Sequence, residues 1–525
     1  GIYYDGKIEF NDGNVVKIER VYGDPILDIV FDTIKGEGQA LIFVNSRRKS
    51  VSLASKISTI VRRNLSQSLK QMLARISKEL KASSDFKVLN EKLSNLVESG
   101  VAFHHAGLNS VQRRIIEDSF RERILKVIVA TPTLAAGVNL PARRVIVYDY
   151  NRYEYGFGRQ PIKVLEYKQL AGRAGRPKYD EYGEAILIAK TNGEVEYLKE
   201  LYINAKPERL ISKFGSLKSL RSQLLAYIAT YEAVYFKDIM GFISQTLFSH
   251  QYGNRHLQDL IVNVIEFLKK EGMVKESHSE LVATKLGVRV SQLYIDPLSA
   301  SRMLDIISNK HKINDLGLLI TICLTPDMLK LHVRRSDVVQ IERFIDDHYS
   351  SFPVDPYALD DVEYALMLGS VKTAMLLYEW INEVPEDDLS KKYDIGPGDI
   401  HAIVEIADWL LYALGELTPY VKVSNIKDEI TKLRIRVKYG VKEELIPLVT
   451  IEGIGRVRAR RLFKYGYKCL EDLAKATIEE LVRIPGIGLE LASRIKRAIG
   501  EGKSEGEVKL KPKTLMDYLR NSKAI

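Results

Sequence analysis

Short apolar runs separated by amphipathic stretches fill the chain between Gln39 and Lys190. The runs are rich in β-branched residues and show no polar alternation, which is typical of strands in a parallel sheet buried on both faces. The stretches at 46–65 and 110–123 have the spacing of helices that cover such a sheet. The pattern predicts an α/β domain whose strands lie in the runs 40–45, 101–107, 126–133, 144–150 and 184–190.

Helical periodicity dominates after about Tyr202. A helix at 258–272 precedes the segment 280–297, in which apolar and polar residues alternate and which we expect to form a β-hairpin. Helices followed by a small hairpin are typical of a winged helix, here assigned to 202–296. The region 297–440 is helical in period almost throughout and predicts a helical bundle.

A loose internal repeat occupies the region 441–505. The sequences IEGIG at 451–455 and IPGIG at 484–488 each place two glycines around one apolar residue ahead of an amphipathic helix. This arrangement predicts paired helix-hairpin-helix motifs, whose backbone N–H groups can face a phosphate. For the remaining residues, 506–525, the polar composition predicts a flexible tail.

Length, charge and cysteine content narrow the class of protein. A chain of 525 residues is too long for one ordinary core, and a net charge of +10 is compatible with a polyanionic partner without establishing one. The two cysteines, Cys323 and Cys469, lie far apart and away from any cluster of His or Cys ligands, so neither a disulfide framework nor a zinc site is indicated, and a reducing, cytoplasmic setting fits. No apolar run reaches membrane-spanning length, so no membrane partner is expected. The chain begins without Met, from which we expect a processed protein or an excised piece.

The strongest chemical motif is QLAGRAGRP at 169–177. Gln169, Arg173 and Arg176 stand at a spacing that brings polar groups to one face, where the two guanidinium groups can neutralise charge on a transferring γ-phosphate. The alternative is an exposed basic turn. The motif resembles motif VI of superfamily-two helicases, which makes these three residues the catalytic candidates.

The segment ATPTLAAGVNLPA at 130–142 follows a predicted strand directly. Thr131 and Thr133 can donate hydroxyl groups to a nucleic-acid phosphate, and Gly137 allows the close backbone approach that a phosphate or ribose requires. A strand-to-helix turn rich in small residues can also be purely structural. Placed ahead of QLAGRAGRP the segment resembles motif V, and Gly137 and Asn139 become the candidate ATP contacts.

Two further motifs lie earlier in the chain. LIFVNSRRKS at 41–50 resembles motif IV and puts Asn45, Ser46 and Arg47 at the end of a strand, where a helix N-terminus can receive a phosphate. In FHHAGL at 103–108, His104 and His105 point to opposite faces of a strand and have no third ligand nearby, so a metal pair is excluded. A nucleic-acid contact or a structural role remains for these histidines.

Four motifs in this order resemble the second RecA-like lobe of a superfamily-two helicase. FHHAGL, QLAGRAGRPKYD and the segment at 280–297 are similar to archaeal Hjm-type (Holliday junction migration) helicases, which are related to the helicase part of DNA polymerase theta. The resemblance spans essentially the whole chain. It implies a multidomain α/β plus α protein with a linker from a first lobe at 1–22, the second lobe at 23–201, a winged helix, a ratchet bundle and a helix-hairpin-helix domain.

The sequence contains no G-x-x-x-x-G-K-[ST] loop and no DE-x-H-type acidic box. The resemblance places both elements in a first lobe, which would hold ATP and Mg²⁺ in the complete enzyme, so we expect no cofactor and no ATPase activity for this chain alone. The activity that it implies is movement from 3′ to 5′ on single-stranded DNA at stalled or recombining forks, as a monomer.

Between motifs V and VI, two β-prone segments surround the sequence Gly156-Phe157-Gly158 and predict a hairpin. The resemblance implies a wedge at the duplex junction, with Tyr153, Tyr155 and Phe157 stacking on the last base pair. The alternative is an ordinary aromatic hairpin that packs on the lobe.

The segment 396–417 predicts a long helix capped by Asp399 and carrying Trp409. A tryptophan on a helix usually packs in a core. The resemblance instead implies a ratchet helix on which Trp409 stacks on a base, helped by an arginine about two turns earlier. Ala402 stands at the position of that arginine, and His401 is the nearest substitute.

In the terminal repeat, Gly453, Gly455, Gly486 and Gly488 are the candidate backbone contacts to DNA. Arg456 and Arg458 begin a basic stretch after the first hairpin, which favours sequence-independent phosphate binding over a purely structural role.

Residues 514–521, TLMDYLRN, have the apolar-then-aromatic spacing of a sliding-clamp-binding peptide, although Pro512 replaces the usual Gln. A plain terminal helix turn is the alternative. Single-stranded and forked DNA is the partner that we expect for the chain as a whole. Two other interpretations stay open: an RNA helicase of the same superfamily, since phosphate contacts do not distinguish the sugars, and a non-enzymatic DNA-binding module.

Overall fold

The computed structural model describes residues 1–82, 87–134, 138–154, 158–175, 180–253, 255–309, 313–421 and 426–500. These residues form two compact units. Among the described residues, the first unit contains 1–209 together with 394–400, and the second contains 210–393 and 401–500.

The first unit is built on an eight-stranded sheet with the order β3-β2-β1-β10-β7-β4-β6-β5. Six adjacent strands, from β1 to β5 in this order, pair in parallel, and β4 lies between β6 and β7 with Ala40 opposite both Val127 and Arg144. The four residues of each of the strands β4 to β7 are buried, because helices cover both faces. All five predicted strands are confirmed, with the bounds β4 Ala40–Phe43, β5 Val101–His104, β6 Val127–Ala130, β7 Arg144–Val147 and β10 Glu184–Ile188.

The first 17 residues extend this sheet, although we expected a linker at 1–22. Strands β1 (Ile2–Tyr4), β2 (Lys7–Glu9) and β3 (Val15–Lys17) form an antiparallel meander, and β1 pairs in parallel with β10. The short polar–apolar alternation in this segment buries Ile2, Tyr3 and Ile8 in the core of the unit.

Capping side chains fix the starts of the helices that cover the sheet. Asp24, Ser46 and Asn109 accept hydrogen bonds from first-turn N–H groups. The predicted helices at 46–65 and 110–123 are confirmed, whereas the pair α3 and α4 was not predicted. The helices are α1 Pro25–Lys35, α2 Arg47–Arg63, α3 Gln67–Ala82, α4 Lys87–Val97, α5 Ser110–Arg121, α6 Val164–Ala171 and α7 Asn192–Leu198.

A separate antiparallel pair joins β8 (Asn151–Glu154) to β9 (Gly158–Pro161), which confirms the predicted hairpin.

The second unit begins with the arrangement of a winged helix. Its helices are α8 Leu217–Thr230, α9 Phe236–Ser244, α10 Leu247–Tyr252 and α11 Arg255–Lys270. They accompany a three-stranded sheet of β11 (Val234–Tyr235), β13 (Glu280–Ala283) and β12 (Val274–Ser277), in that spatial order.

The hairpin predicted at 280–297 was misplaced. The hairpin is β12 with β13, and Lys285–Leu293 forms helix α12. The Thr284 side chain caps this helix by accepting from the Gly287 N–H, and Gly287, Val290 and Leu293 are buried at a spacing of three residues. Apolar residues in this segment therefore follow a helical face, which alternation over a short window did not reveal.

A helical bundle and a terminal pair of helical hairpins complete the second unit. The bundle contains α13 Pro297–Asn309, α14 Asp315–Cys323, α15 Arg335–Asp347, α16 Asp361–Ile381, α17 Glu386–Tyr393, the part of α18 Pro397–Leu417 from His401 onward, and α19 Ile426–Tyr439. The hairpins contain α20 Ile446–Val449, α21 Arg456–Lys464, α22 Leu470–Lys475, α23 Ile478–Val482 and α24 Leu489–Gly500 around their own apolar cluster.

Candidate nucleic-acid and nucleotide interface

The motif loops of the first unit leave the carboxyl ends of three adjacent parallel strands. The motif IV segment follows β4, FHHAGL spans the end of β5, and the motif V segment follows β6, which lies between the other two. Ligands of open parallel sheets bind at this edge. The sheet therefore brings together residues that are up to about 90 positions apart in the sequence.

Motif VI is joined to the end of motif V by backbone hydrogen bonds. The Ala142 N–H donates to the Arg173 carbonyl (2.9 Å), and the Gly175 N–H donates to the Ala142 carbonyl (2.7 Å). The partly exposed Arg173 also donates from Nη1 to Asn139 Oδ1 (2.9 Å). Gln169 is exposed on α6, just before this contact. The structure thus brings Arg173 and Asn139 together, whereas Arg176 and Gly137 lie outside the described residues.

A close backbone approach explains one glycine of this motif. Gly175 has φ +90° and packs against Gly183. A Cβ added to Gly183 would lie 2.1 Å from the backbone nitrogen of Gly175. Only glycine fits both positions, because the first requires a left-handed backbone and the second has no room for a side chain.

The motif V threonines form a pair. Their Oγ1 atoms lie 3.0 Å apart, Thr131 is nearly buried, and Thr133 is exposed. The Thr131 N–H donates to the His104 carbonyl (3.0 Å), which joins this loop to FHHAGL. Thr133 is therefore the hydroxyl that faces outward.

In motif IV, the polar groups are already engaged within the unit. The Ser46 Oγ caps helix α2 by accepting from the Lys49 N–H (3.2 Å), and the Asn45 N–H donates to Asp149 Oδ2 (3.3 Å). Arg47 forms a two-pronged ion pair with Asp399, and its Nη2–Oδ1 distance is 2.7 Å. The predicted DNA contacts at these three residues remain predictions, but each residue also holds the lobe together.

Segment 394–400 packs on FHHAGL within the first unit. The Gly398 N–H donates to the Gly107 carbonyl (3.0 Å), and a Cβ on Gly398 would lie 2.0 Å from the Ala106 carbonyl oxygen. We predicted that Asp399 caps this helix, but α18 begins at Pro397, so Asp399 is its third residue. Its side chain accepts a hydrogen bond from the N–H of Gly396, the residue just before the helix (2.8 Å). The sequence reasoning missed this packing, for which the glycines on both sides were the available signal.

The two histidines of FHHAGL have different partners. His104 Nε2 lies 3.0 Å from Glu117 Oε1, whereas the His105 ring stacks on Phe103 and its Nδ1 accepts from the Gly107 N–H (3.1 Å). Burial, followed by the positive charge of Arg47, lowers the pKa of His105 to about 4, so the imidazole is neutral at neutral pH. Within the described ranges, no group of three His, Cys, Asp or Glu residues could hold a metal ion.

In the second unit, α12 runs antiparallel along the second half of α18. Three contacts define this register: Leu293 O accepts from Trp409 Nε1 (3.1 Å), Arg289 pairs with Glu416, and Lys285 O accepts from the Tyr420 hydroxyl (3.3 Å). Trp409 is half-buried, and its indole N–H satisfies a carbonyl at the C-terminus of α12. This bond fixes the orientation of the indole ring, and the Trp409 residue keeps part of its surface in solvent.

The two glycine hairpins near the C-terminus have the same geometry. Gly453 and Gly486 both have φ +87°, and Ile454 and Ile487, the apolar residues between the glycines, are 2% and 3% exposed. Gly455 and Gly488 have no heavy atom near the position of an added Cβ, so the face beside the following helix is open. The predicted repeat is thus confirmed in backbone conformation.

The arginines of α21 make contacts within the protein. Arg456 lies over the Trp380 ring at 4.3 Å and donates to the Val384 carbonyl (3.0 Å). Arg458 bridges the two hairpins by donating to Gly486 O (3.0 Å) and Gly453 O (2.9 Å). Arg460 forms an ion pair with Glu383 (2.6 Å), which the sequence analysis did not predict. Arg456 therefore attaches the hairpins to the bundle, while the exposed Arg458 stands at their surface.

A parallel sheet with the motif IV, FHHAGL and motif V segments at its carboxyl edge defines the C-terminal motor lobe of a helicase, here accompanied by paired helical hairpins. Three family models agree: the helicase conserved C-terminal domain matches residues 24–178, the archaeal helicase domain 4 matches 316–440, and a SAM-like helix-hairpin-helix tandem matches 445–501. The chain belongs to the Hel308 family of ATP-dependent DNA helicases.

The relatives on which this assignment rests are similar over nearly the whole chain. The ATP-dependent DNA helicase Hel308 of Methanocella arvoryzae is 42% identical over 507 residues, which cover 95% of this chain and 68% of the relative. The Hel308 helicase of Pyrococcus horikoshii is 39% identical, and the match covers 99% of this chain and 71% of the relative. The Hel308 helicase of Caldivirga maquilingensis is 38% identical, and the match covers 94% of this chain and 68% of the relative. Among the described residues, no helix is long and apolar enough to cross a membrane.

We expect acid to destabilise the first unit through His105. Its pKa falls from 6.5 in the unfolded chain to about 4 in the folded chain, so the folded chain binds fewer protons between these values. The contribution of His105 to the free energy of unfolding is complete above pH 6.5. It decreases as the pH is lowered towards 4, by roughly 3 kcal/mol at most. Chemical denaturation between pH 4 and 7 should show a shallower pH dependence for His105→Asn, in which the amide oxygen can still accept from Gly107.

The matched control is His278→Asn, at an exposed histidine in the wing turn. This variant should keep the pH dependence of the parent. Equal slopes for His105→Asn and the parent chain would show that His105 does not contribute.

Arg460 should stabilise the second unit. It pairs with Glu383 and Glu444, and removing it leaves Glu383, whose carboxylate is largely buried, without its main cation. We expect Arg460→Ala to lower the free energy of unfolding by roughly 2 kcal/mol. Lys464→Ala, one turn further along α21 at an exposed position, is the control and should change it by less than about 0.5 kcal/mol.

Proposed function

We propose that this chain is the DNA-handling half of an ATP-driven motor that moves from 3′ to 5′ on single-stranded DNA at stalled or recombining forks. The observation that carries the proposal is the joint between motifs V and VI. Arg173 is tied through its carbonyl to Ala142 and through its side chain to Asn139. A change at the nucleotide can therefore be transmitted through covalent and hydrogen-bonded neighbours to the motif V loop and Thr133.

ATP, with Mg²⁺ on its phosphates, supplies the free energy of hydrolysis in enzymes of this class. The residues of this chain fit only part of such a site. Gln169 and Arg173 can face the phosphates, and Asn139 orients the Arg173 guanidinium by accepting from Nη1. The sequence contains no phosphate-cradling G-x-x-x-x-G-K-[ST] loop, and the structurally described ranges contain no group of three His, Cys, Asp or Glu residues that could hold a metal ion. We propose that another RecA-like lobe holds ATP and Mg²⁺ and that this chain alone has no ATPase activity.

DNA contacts are proposed in both units. In the first unit, Thr133 presents an exposed hydroxyl, and we propose that the hairpin formed by the paired strands β8 and β9 acts as a wedge. The wedge residues Tyr155 and Phe157 and the side chain of Tyr153 lie outside the described residues. In the second unit, we propose that Trp409 stacks on a base and that the glycine hairpins receive backbone phosphates. The sequence proposed to bind a sliding clamp, 514–521, also lies outside the described residues.

Ala402 departs from the arginine that the family resemblance implied, and His401 is exposed one residue earlier on α18. His401 lies edge-on to Trp380, with 6.2 Å between the ring centroids. Although the residue is exposed, partial desolvation of its ring lowers the pKa of His401, so a cationic substitute for the arginine is disfavoured at neutral pH. We propose that Trp409 acts on this helix without a cation at the preceding position.

The test of the motor proposal joins this chain to a Walker-type first lobe, by fusion or in trans, and measures DNA-stimulated ATP hydrolysis. Arg173→Ala should lower the rate by about a thousandfold or more, as expected for loss of an arginine finger. Binding of a single-stranded oligonucleotide, measured by fluorescence anisotropy, should change little, because Arg173 is assigned to the phosphates of ATP.

Lys168→Ala, an exposed cation on α6 one turn earlier, is the matched control and should leave the rate unchanged. A wild-type rate for Arg173→Ala would contradict the proposed role of Arg173. An absence of DNA-stimulated hydrolysis in the joined wild-type protein would favour a non-enzymatic DNA-binding module, and tighter binding of RNA forks than of matched DNA forks would favour an RNA substrate.

A further inference from the structure

One exposed aromatic side chain lies directly beside the residue that positions Trp409. Tyr294 follows Leu293, the last residue of α12, whose carbonyl accepts from Trp409 Nε1 at 3.1 Å. Tyr294 is 63% exposed, whereas its neighbours Leu293 and Ile295 are 6% and 2% exposed. Tyr294 is therefore the one side chain of this three-residue segment that the fold leaves in solvent.

The backbone of Tyr294 is unusual for a bulky residue. Its φ of +59° and ψ of +20° place it in the left-handed region at the C-terminal cap of α12. Gly and Asn are the usual residues at this position, because a side chain with Cβ is disfavoured in that conformation. A tyrosine here costs stability compared with glycine, unless the exposed ring contributes something else.

The surrounding contacts hold this turn in place. Asp296 has a fully buried side chain and pairs with Arg221 through two bonds, at 2.9 and 2.7 Å. The Asp296 Oδ1 also accepts from the Leu298 N–H (3.0 Å), which begins the next helix. The Arg289–Glu416 and Lys285–Tyr420 contacts, with the Trp409 bond to Leu293, hold the end of α12 that carries Tyr294 along the helix that carries Trp409.

We propose that Tyr294 is a second base-stacking residue, which together with Trp409 forms a two-ring surface for consecutive or near-consecutive bases of single-stranded DNA. Aromatic rings that are exposed on a rigid support and have solvent-facing surfaces are the usual platforms for sequence-independent binding of single strands. The inference rests on the proposed function, because it takes Trp409 as the first stacking residue. Tyr294 adds a ring at the end of α12, so the bases would contact the winged helix as well as the bundle.

The left-handed backbone provides a substitution that separates stacking from folding. Tyr294→Gly removes the ring and supplies the residue that the backbone prefers, so the thermal midpoint should stay level or rise. Affinity of the full chain for a single-stranded oligonucleotide, measured by anisotropy, should nevertheless fall by about fivefold or more. Tyr294→Asn, which also tolerates this backbone, should behave like Tyr294→Gly, and Tyr294→Phe, which keeps the ring, should bind like the parent.

The comparison needs a tyrosine of equal exposure and the proposed first ring. Tyr357, on the bundle and 58% exposed, is the matched control, and Tyr357→Ala should not weaken binding. Trp409→Ala should weaken it. Oligonucleotides with 2-aminopurine at successive positions report stacking directly, because fluorescence is quenched at each stacked base. The parent chain should quench two positions, Tyr294→Gly should restore one, and Trp409→Ala should restore the other.

The outcomes distinguish this inference from the function on which it rests. Parent-like affinity and quenching for Tyr294→Gly, with Trp409→Ala weakened, would overturn the role of Tyr294 and leave that of Trp409 intact. Parent-like binding by both variants would overturn the two-ring surface together with the proposed role of Trp409. Equal losses for Tyr294→Phe and Tyr294→Gly would assign the effect to the hydroxyl group and would also overturn stacking by the ring.

Discussion

The parallel pairing of β4 with both β6 and β7 is the constraint on which the candidate interface of the first unit depends. Because all four residues in each of these strands are buried, a shift of register would expose apolar side chains and bury polar ones. The register therefore determines where each motif loop begins. Motifs IV and V leave neighbouring strands at the same edge, and the Ala142 bonds join Arg173 to the end of the motif V segment, just before β7 begins.

Much of this arrangement could be predicted from the sequence, because local patterns encode it. Buried β-branched runs identified the five parallel strands, and the repeated glycine pairs identified hairpins that share a φ of +87° at Gly453 and Gly486. The misplaced wing hairpin shows the limit of such patterns. Lys285–Leu293 alternates over a short window, and only the Thr284 cap and tertiary burial decide in favour of a helix.

What the sequence could not reveal is which polar groups the fold itself uses. Arg47 and Arg456 both occur in basic motifs, and composition assigns both to phosphate binding. In the structure, Arg47 is engaged by Asp399, 352 residues away, and Arg456 lies on Trp380 and bonds to Val384. Pairings over such separations are not visible in a local window, so a basic motif gives an upper bound on the cations that DNA can use.

Arginine thus serves two purposes in this protein: some arginines are engaged in contacts within the fold, and others keep a charge that a phosphate can reach. A guanidinium group that is paired with both oxygens of a carboxylate, or that lies on a ring and bonds a carbonyl, is held in one orientation, and binding DNA there would require those contacts to be replaced. Arg458 is different: it is exposed, and its two carbonyl partners belong to the hairpins that are proposed to contact phosphates. Its charge therefore lies beside the open face of the glycines while its bonds keep the two hairpins in register. Rigid support and an accessible charge are combined in one side chain, which is the arrangement that a sequence-independent phosphate contact requires.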